Sequence, residues 1–316
     1  MLDSKAPDRG SVTDSAKLPR YVVFGEALTD MLLQEARSWR AAPGGSCWNV
    51  ARTASRMGVS TGFAGCVSCD IFGDDLALES ERAGLDSRFL QRAKAPPLLA
   101  IIPSIKPPHY FFLGEGAADL KFDPAKLPKG WRETVEIVHF GGISLARKPL
   151  ADILINEAVL LHQRGVPIAF DPNFRELMRD HDYAATFDRL ASLSSYIKVS
   201  EEDLHGLFES GTLDHHVAAL RDLAPSATIL LTRGERGMSL YRNDEVFHQS
   251  AFPTTLIDTV GCGDAAMGGW VVALLENELS DVESQLRMAA ACAAVTASKS
   301  GPYAASRNEV NALLQG

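Results

Sequence analysis

The sequence predicts an α/β protein: a doubly wound, mostly parallel sheet flanked by helices, with a small β-sheet lid standing off it. Three observations carry that prediction. Residues 137–143, 149–164 and 166–170 read as strand, amphipathic helix and strand, and that spacing means parallel βαβ units. Two short β-like runs, residues 98–105 and 109–113, are separated by Lys106-Pro107-Pro108; with residues 27–41 they form a small sheet apart from the main one. The 316 residues are 46% hydrophobic and 22% charged, the composition of a globular chain that fills one large α/β domain or two smaller ones.

Composition also removes function classes. A net charge of −9 argues against nucleic acid as a main partner and favours a small-molecule reaction. Five cysteines, an odd number, do not suggest a disulfide framework. No apolar run reaches the roughly 18 residues of a membrane span. Residues 1–20 are polar, carry Pro7, Gly10 and Pro19, and lack the apolar core of a secretory signal. They read as a disordered leader on a cytoplasmic protein, with residues 21–316 as the folded domain and lid segments near 27–41 and 97–114 inserted in it.

In chain order, residues 21–25 form a buried strand ending in Gly25. Glu26 and Asp30 follow, carboxylates just past a parallel strand's carboxyl end, where α/β folds bind ligands; for Asp30 the other reading is a solvated turn. Gly44 and Gly45 precede a helix running to Met57-Gly58. Paired glycines bring bare backbone beside a ligand, and Asn49, one turn in, offers a donor and an acceptor to hydroxyls. By itself such a pair is more often a plain loop. Residues 61–67 are a strand, 70–73 a turn and 74–83 a helix. Cys66 and Cys69 make a CxxC without the second pair or the Cys/His cluster that a metal needs. His139, inside its strand, reads as a core histidine.

Asp171-Pro172-Asn173-Phe174-Arg175 ends the strand at 166–170 and sets Asp, Asn and Arg at the sheet's carboxyl edge; an Asx turn with a surface arginine is the competing reading. Residues 196–200 are a strand. Glu201, Glu202 and Asp203 then open a helix, where acids either complement the dipole or hold Mg²⁺ through water. Residues 228–232 and 238–241 are strands about the loop 233–237, and 282–298 and 308–314 are helices.

The chain is organised around Asp258-Thr259-Val260-Gly261-Cys262-Gly263-Asp264. A β-like run, 252–257, precedes it and an apolar helix, 265–275, follows. Two glycines allow a tight turn, and the helix dipole and free amides converge on one spot that suits a transferring phosphate. Asp264 there can take a proton from an attacking hydroxyl; the competing reading is an N-cap aspartate. No Gly-x-x-x-x-Gly-Lys-Ser/Thr loop is present, which disfavours a Walker-type NTPase, and no Gly-x-Gly-x-x-Gly follows a strand, which disfavours a dinucleotide enzyme.

Asp-Thr-x-Gly-x-Gly-Asp resembles the C-terminal signature of the ribokinase-like (PfkB) sugar kinases, with Cys262 for the usual Ala. Gly44-Gly45-Ser46-x-x-Asn49-Val50-Ala51 resembles their N-terminal signature, with Ser46 for Ala. Asp171-x-Asn173-x-Arg175 resembles the fructokinase and ketodeoxygluconate kinase branch, and Ser200-x-x-Asp203 its variant of Asn-x-x-Glu. The resemblance implies a ribokinase-like fold whose lid covers the sugar, and ATP, Mg²⁺ and a monovalent cation such as K⁺ as cofactors. Asp264 is then the base and Gly261, Cys262 and Gly263 the anion hole. Asp30, Gly44, Gly45, Asn49 and Arg175 hold the sugar. Lys198, Ser200, Thr232, Gly234, Gly237 and Gly263 meet the nucleotide; Glu201 and Asp203 hold Mg²⁺ through water, and Asp258 the monovalent cation. No Arg lies between Ile101 and Lys129, where that branch commonly has one. Fructose or a related ketose is the expected substrate. A ketodeoxygluconate kinase, a nucleoside kinase and a non-catalytic sugar- and nucleotide-binding regulator are the alternatives. The exposed edge of the lid is the expected place for a homodimer.

Overall fold

The structure is a computed structural model describing residues 17–34, 37–105, 108–179, 181–208, 210–276 and 281–315. In order, β1 (Tyr21–Phe24) opens the large sheet, and β2 (Leu28–Leu33) and β3 (Trp39–Gly44) begin the lid. Then come α1 (Ser46–Arg56), β4 (Thr61–Ser68), α2 (Ile71–Arg82) and β5 (Leu90–Ala93). β6 (Leu99–Ile105) and β7 (Pro108–Leu113) complete the lid. The chain continues through α3 (Trp131–Thr134), β8 (Ile137–Gly141), α4 (Leu150–Gln163), β9 (Ile168–Asp171), α5 (His181–Leu193), β10 (Tyr196–Ser200), α6 (Glu201–Leu207), α7 (Leu213–Leu223) and β11 (Thr228–Thr232). A hairpin, β12 (Met238–Arg242) and β13 (Glu245–Gln249), precedes α8 (Cys262–Leu275), α9 (Val282–Ala297) and α10 (Arg307–Gln315).

The nine-stranded sheet has the order β13-β12-β11-β10-β9-β8-β1-β4-β5. All neighbours from β11 to β5 are parallel; only the β12 and β13 pairings are antiparallel. Alternate residues of β1 point into opposite cores. Tyr21 and Val23 meet the α1, α8 and α9 layer, and Val22 and Phe24 meet the α4, α5 and α7 layer. A strand buried on both faces reads as a continuous apolar run, which is why β1 was legible.

The lid is a separate four-stranded sheet, β3-β2-β6-β7, with β2 and β6 parallel and the other pairs antiparallel. Its first half runs to Gly44, so the paired glycines lie where the lid joins α1.

Helix α8 is buried on every side. Two glycines permit this: a Cβ on Gly268 would lie 2.8 Å from Thr53 of α1, and one on Gly269 would lie 2.7 Å from Cys292 of α9. Close packing holds the helix start rigidly between two neighbours.

Three local expectations change. The run 252–257 is not a strand; Leu256 and Ile257 are exposed and the Ile257 amide bonds to the Ala297 carbonyl at the end of α9. The β-strand here is instead β13, paired with β12 through a turn at Asn243 (φ 53°). Helix α2 begins a turn earlier than expected because the Asp70 carboxylate accepts from the Phe72 and Gly73 amides as its N-cap. Most of the expected leader, residues 1–16, lies outside the described residues; Arg20 is anchored to Glu136 and to the Leu275 carbonyl.

Candidate active site

The turn into α8 places Gly261 at the N-cap with φ 80°, and a Cβ there would lie 2.9 Å from Pro302 Cα. Only glycine combines that left-handed conformation with that contact. Helix geometry leaves the first-turn amides of Gly263 and Asp264 without an intrahelical acceptor. Asp264 does not cap the helix, so the N-cap reading fails. Its side chain leaves the helix and is 7% exposed. Oδ1 accepts from Ser46 Oγ at 2.8 Å and Asn173 Nδ2 at 3.2 Å; Oδ2 accepts from Asn49 Nδ2 at 2.9 Å. Burial raises its pKa above the ordinary aspartate value, against the pull of the Asn49 and Ser46 hydrogen bonds and of Lys198 and Arg175.

Beneath the turn lies Lys198, from β10 and 4% exposed. Its ammonium is 3.0 Å from the Asp171 carboxylate and 3.8 Å from Asp203. A Cβ on Gly263 would come within 3.0 Å of Nζ, so the charge sits directly under the helix start. Burial pulls the lysine pKa down, but Asp171, Asp203 and Asp264 outweigh it and the net direction is up; Lys198 stays charged.

The Asp171–Arg175 turn is an Asx turn and a site element at once. Asp171 Oδ1 accepts from the Asn173 amide at 3.0 Å, Asn173 adopts φ 43°, and its side chain is thereby aimed at Asp264. Arg175 is not a free surface arginine. It donates to the Asn173 and Phe174 carbonyls and lies 5.4 Å from the Tyr110 ring of the lid. Asp30, on the lid's inner face, is pushed up to about 7 by burial, with Arg175 opposing the shift and Asp264 adding to it. Gly44 pairs with Leu28 on the neighbouring lid strand, and a Cβ on it would be 2.5 Å from Asp30 Oδ2. Gly45 (φ 112°) turns the chain into α1 against the Glu26 carbonyl. Asp30, Asn49, Arg175 and Asp264 therefore converge between lid and sheet.

The remaining predicted residues form a second group along β10 and β11. Ser200 and Thr232 are register partners. Gly234 adopts φ 55° and Gly237 φ 79°; a Cβ on Gly237 would strike the Gln249 carbonyl at 2.1 Å, so this glycine is needed to pack the hairpin. Glu201 pairs with Arg236 of that loop. Asp203 is committed: Oδ2 accepts from the Ser200 amide in a capping box and Oδ1 from the Phe174 amide. With Lys198 also beside it, Asp203 is a poor direct metal ligand. Among the described residues no group of three acids, histidines or cysteines could cage a metal. Asp258 orders its own turn, accepting from the Val260 and Gly301 amides.

Sequence reasoning missed the roles of Ser46 and Glu26. Glu26 is 2% exposed, accepts from the Ser46 amide and from Ser144 N and Oγ, and is pushed up to about 7 by burial. A buried acid straight after a strand was the available signal. His139 is a core residue, though neither ring nitrogen has a protein partner, and burial holds it down to about 3, hence neutral. Cys66 is buried and Cys69 exposed, both as free thiols.

The family model for pfkB family carbohydrate kinases matches residues 18–309. The "Probable fructokinase-3" of Arabidopsis thaliana is 29% identical over 313 residues, covering 92% of this chain and 90% of its own length. The crystal structure of a fructokinase with bound ATP from Xylella fastidiosa superposes with a TM-score of 0.84 at 26% identity, over 94% of this chain and 99% of that one. An aminoimidazole riboside kinase from Salmonella enterica, complexed with aminoimidazole riboside and an ATP analog, superposes with a TM-score of 0.81 at 26% identity, over 93% and 99%. With both signatures in place around one buried aspartate and the family model spanning nearly the whole domain, the chain belongs to the pfkB family of carbohydrate kinases, phosphotransferases that act on a sugar hydroxyl.

Proposed function

We propose that the protein transfers the γ-phosphoryl group of ATP to a primary hydroxyl of a ketose, with fructose the first candidate. The observation that carries this reading is Asp264: a buried carboxylate at the start of α8, held by Ser46, Asn49 and Asn173 and facing Asp30 and Arg175 under a lid. The fructokinase names of its relatives support the substrate.

Asp30, the Gly44–Gly45 backbone and Asn49 bind and orient the sugar. Asp264 takes the proton of the attacking hydroxyl, and its raised pKa makes it a stronger base than an ordinary aspartate. The amides of residues 261–264 stabilise charge on the transferred group, and Lys198 adds a fixed positive charge below them. Positioning and electrostatics supply most of the acceleration in such transfers. Ser200, Thr232, Gly234 and Gly237 line the nucleotide side. Glu201, paired with Arg236, and Asp203, held by the Ser200 and Phe174 amides, are the carboxylates that would face the water shell of an Mg²⁺ ion, which would supply charge neutralisation on the phosphates. Asp258 retains lone pairs beyond its two amides, so its turn suits a monovalent cation. We place the reaction in the cytoplasm.

The lid also suits a homodimer. Met31, Leu33, Trp39, Ala41, Ile101, Phe111 and Leu113 share its outer face by register, with Trp39, Phe111 and Leu113 45–52% exposed. An apolar face without a charged residue in that set is self-complementary about a two-fold axis.

One observation favours a sugar acid as the second reading: Arg175 is a cation close enough to Asp30 to lower its pKa, and a substrate carboxylate could claim it. A coupled ADP-release assay with Mg²⁺, K⁺ and ATP over ketoses, sugar acids and nucleosides tests both. Fructose turnover is expected; turnover of ketodeoxygluconate alone transfers Arg175 to carboxylate recognition. Binding without turnover across the panel would overturn the kinase reading in favour of a regulator.

A further inference from the structure

The β6–β7 half of the lid leaves the large domain after Pro96 and returns at Gly114. The Ala118 amide donates to the Pro96 carbonyl at 2.9 Å, pinning the two limbs together. One side chain of the large domain grips the returning limb. Arg147, between the 3₁₀ turn at Ile143–Ala146 and α4, donates from Nε to Asp119 Oδ2 at 2.9 Å. Its Nη2 donates to Asp119 Oδ1 at 3.1 Å and to the Gly114 carbonyl at 2.7 Å. The pair is enclosed, with side-chain exposures of 15% for Arg147 and 2% for Asp119. A Cβ on Gly114 would fall 2.5 Å from Arg147 Nη1, so glycine is what admits the guanidinium. Two parallel N–H donors on one carboxylate fix an orientation as well as a distance, which a lysine cannot reproduce.

The same turn reaches the catalytic carboxylate on its other side. Ser144, three residues before Arg147, donates from N and Oγ to Glu26. Glu26 accepts from the Ser46 amide, and Ser46 Oγ donates to Asp264. A short rigid segment thus holds the lid's joint with Arg147 and the mount of Asp264 with Ser144.

We propose that Arg147 is a positioning residue that seats the lid over the sugar and couples that seat to Asp264 through Ser144 and Glu26. Its kinetic consequences rest on the kinase reading; its structural ones do not. Full-length R147M and R147K are compared with wild type by hydrogen exchange without ligand and by steady-state kinetics with fructose and MgATP. In R147M the amides of β6 and β7 exchange about tenfold faster, the scale of a lost charge-assisted hydrogen bond. Those of β8 and β9 keep their protection. Sugar KM rises about tenfold while kcat falls less than threefold, and ADP release without sugar increases because a loosened lid admits water. R147K falls between. In an R147K/E26Q double mutant the two effects on kcat/KM are non-additive.

Unchanged lid exchange and unchanged sugar KM would overturn the seating role. So would faster exchange throughout the molecule with a lowered Tm in both variants, which marks a general loss of stability. Additivity with E26Q would remove the coupling to Asp264. If wild-type protein phosphorylates nothing in the panel, the functional reading fails, and the exchange of β6 and β7 alone decides whether Arg147 seats the lid.

Discussion

Asn49 and Asp264 lie 215 residues apart in the chain, yet the Asn49 amide donates to the Asp264 carboxylate at 2.9 Å. One residue comes from the first turns of α1 and the other from the first turn of α8, two helices packed through Gly268 and Thr53. The two sequence signatures are therefore halves of one constellation. D264N keeps the shape and removes the base, and its kcat should fall about 10²–10⁴-fold. Sugar binding, read by thermal shift, should persist. Near-normal turnover would refute the base.

Ser46 stands where the resembling family usually has alanine, and here its hydroxyl stabilises the ionised form of Asp264. S46A removes that stabilisation, so the Asp264 pKa rises. The acid limb of kcat/KM against pH should shift upward relative to wild type, with the alkaline side unchanged. A limb that stays in place would show that Ser46 is mechanistically silent.

Asp30 titrates near pH 7, and only its ionised form accepts hydrogen bonds at both oxygens from sugar hydroxyls. Sugar KM should rise as pH falls through that value. The Arg175 charge lowers the Asp30 pKa, so R175M should move the KM limb to higher pH. D30N should flatten it and raise KM at all pH values. KM measured from pH 5.5 to 8.5 in the three proteins decides the assignment.

Lys198 neutralises Asp171 in the core, and both are nearly inaccessible to solvent. K198M leaves that carboxylate buried without its cation, an arrangement that costs about 3–5 kcal/mol in comparable pairs. Urea unfolding should show the loss, and D171N in the same chain should restore part of it. Equal stability of K198M and wild type would mean that Asp171 is held neutral.

The outer lid face makes a solution prediction. W39E and F111E place charges on an apolar surface and should convert a dimer to a monomer by light scattering, with the large domain still folded. A wild-type monomer at micromolar concentration would exclude this interface.

The central strands β1, β4, β8 and β9 were readable because each is buried on two faces. The start of α8 was readable because Gly261, at φ 80°, is a local backbone requirement. Local pattern failed at 252–257, where a β-like run lies on the surface against the end of α9 and makes no ladder. Asp203 was ambiguous for the same reason, because a position in an acidic first turn is the same for a metal ligand and for a capping box. The contact from the Phe174 amide, on another loop, appears only in the fold.

The sequence by itself determined the layered α/β class, the glycine turn into α8 and the candidate aspartate beside it, since each follows from short-range periodicity or a few adjacent residues. Tertiary structure alone decided that Ser46, Asn49 and Asn173 share Asp264, that Glu26 is fastened to Ser144 across 118 residues, and that Lys198 lies under Gly263. Those contacts depend on the order of β10, β9, β8 and β1 in the sheet and on how closely α8 approaches α1. A local stretch of sequence carries no information about which distant strand will lie beside it.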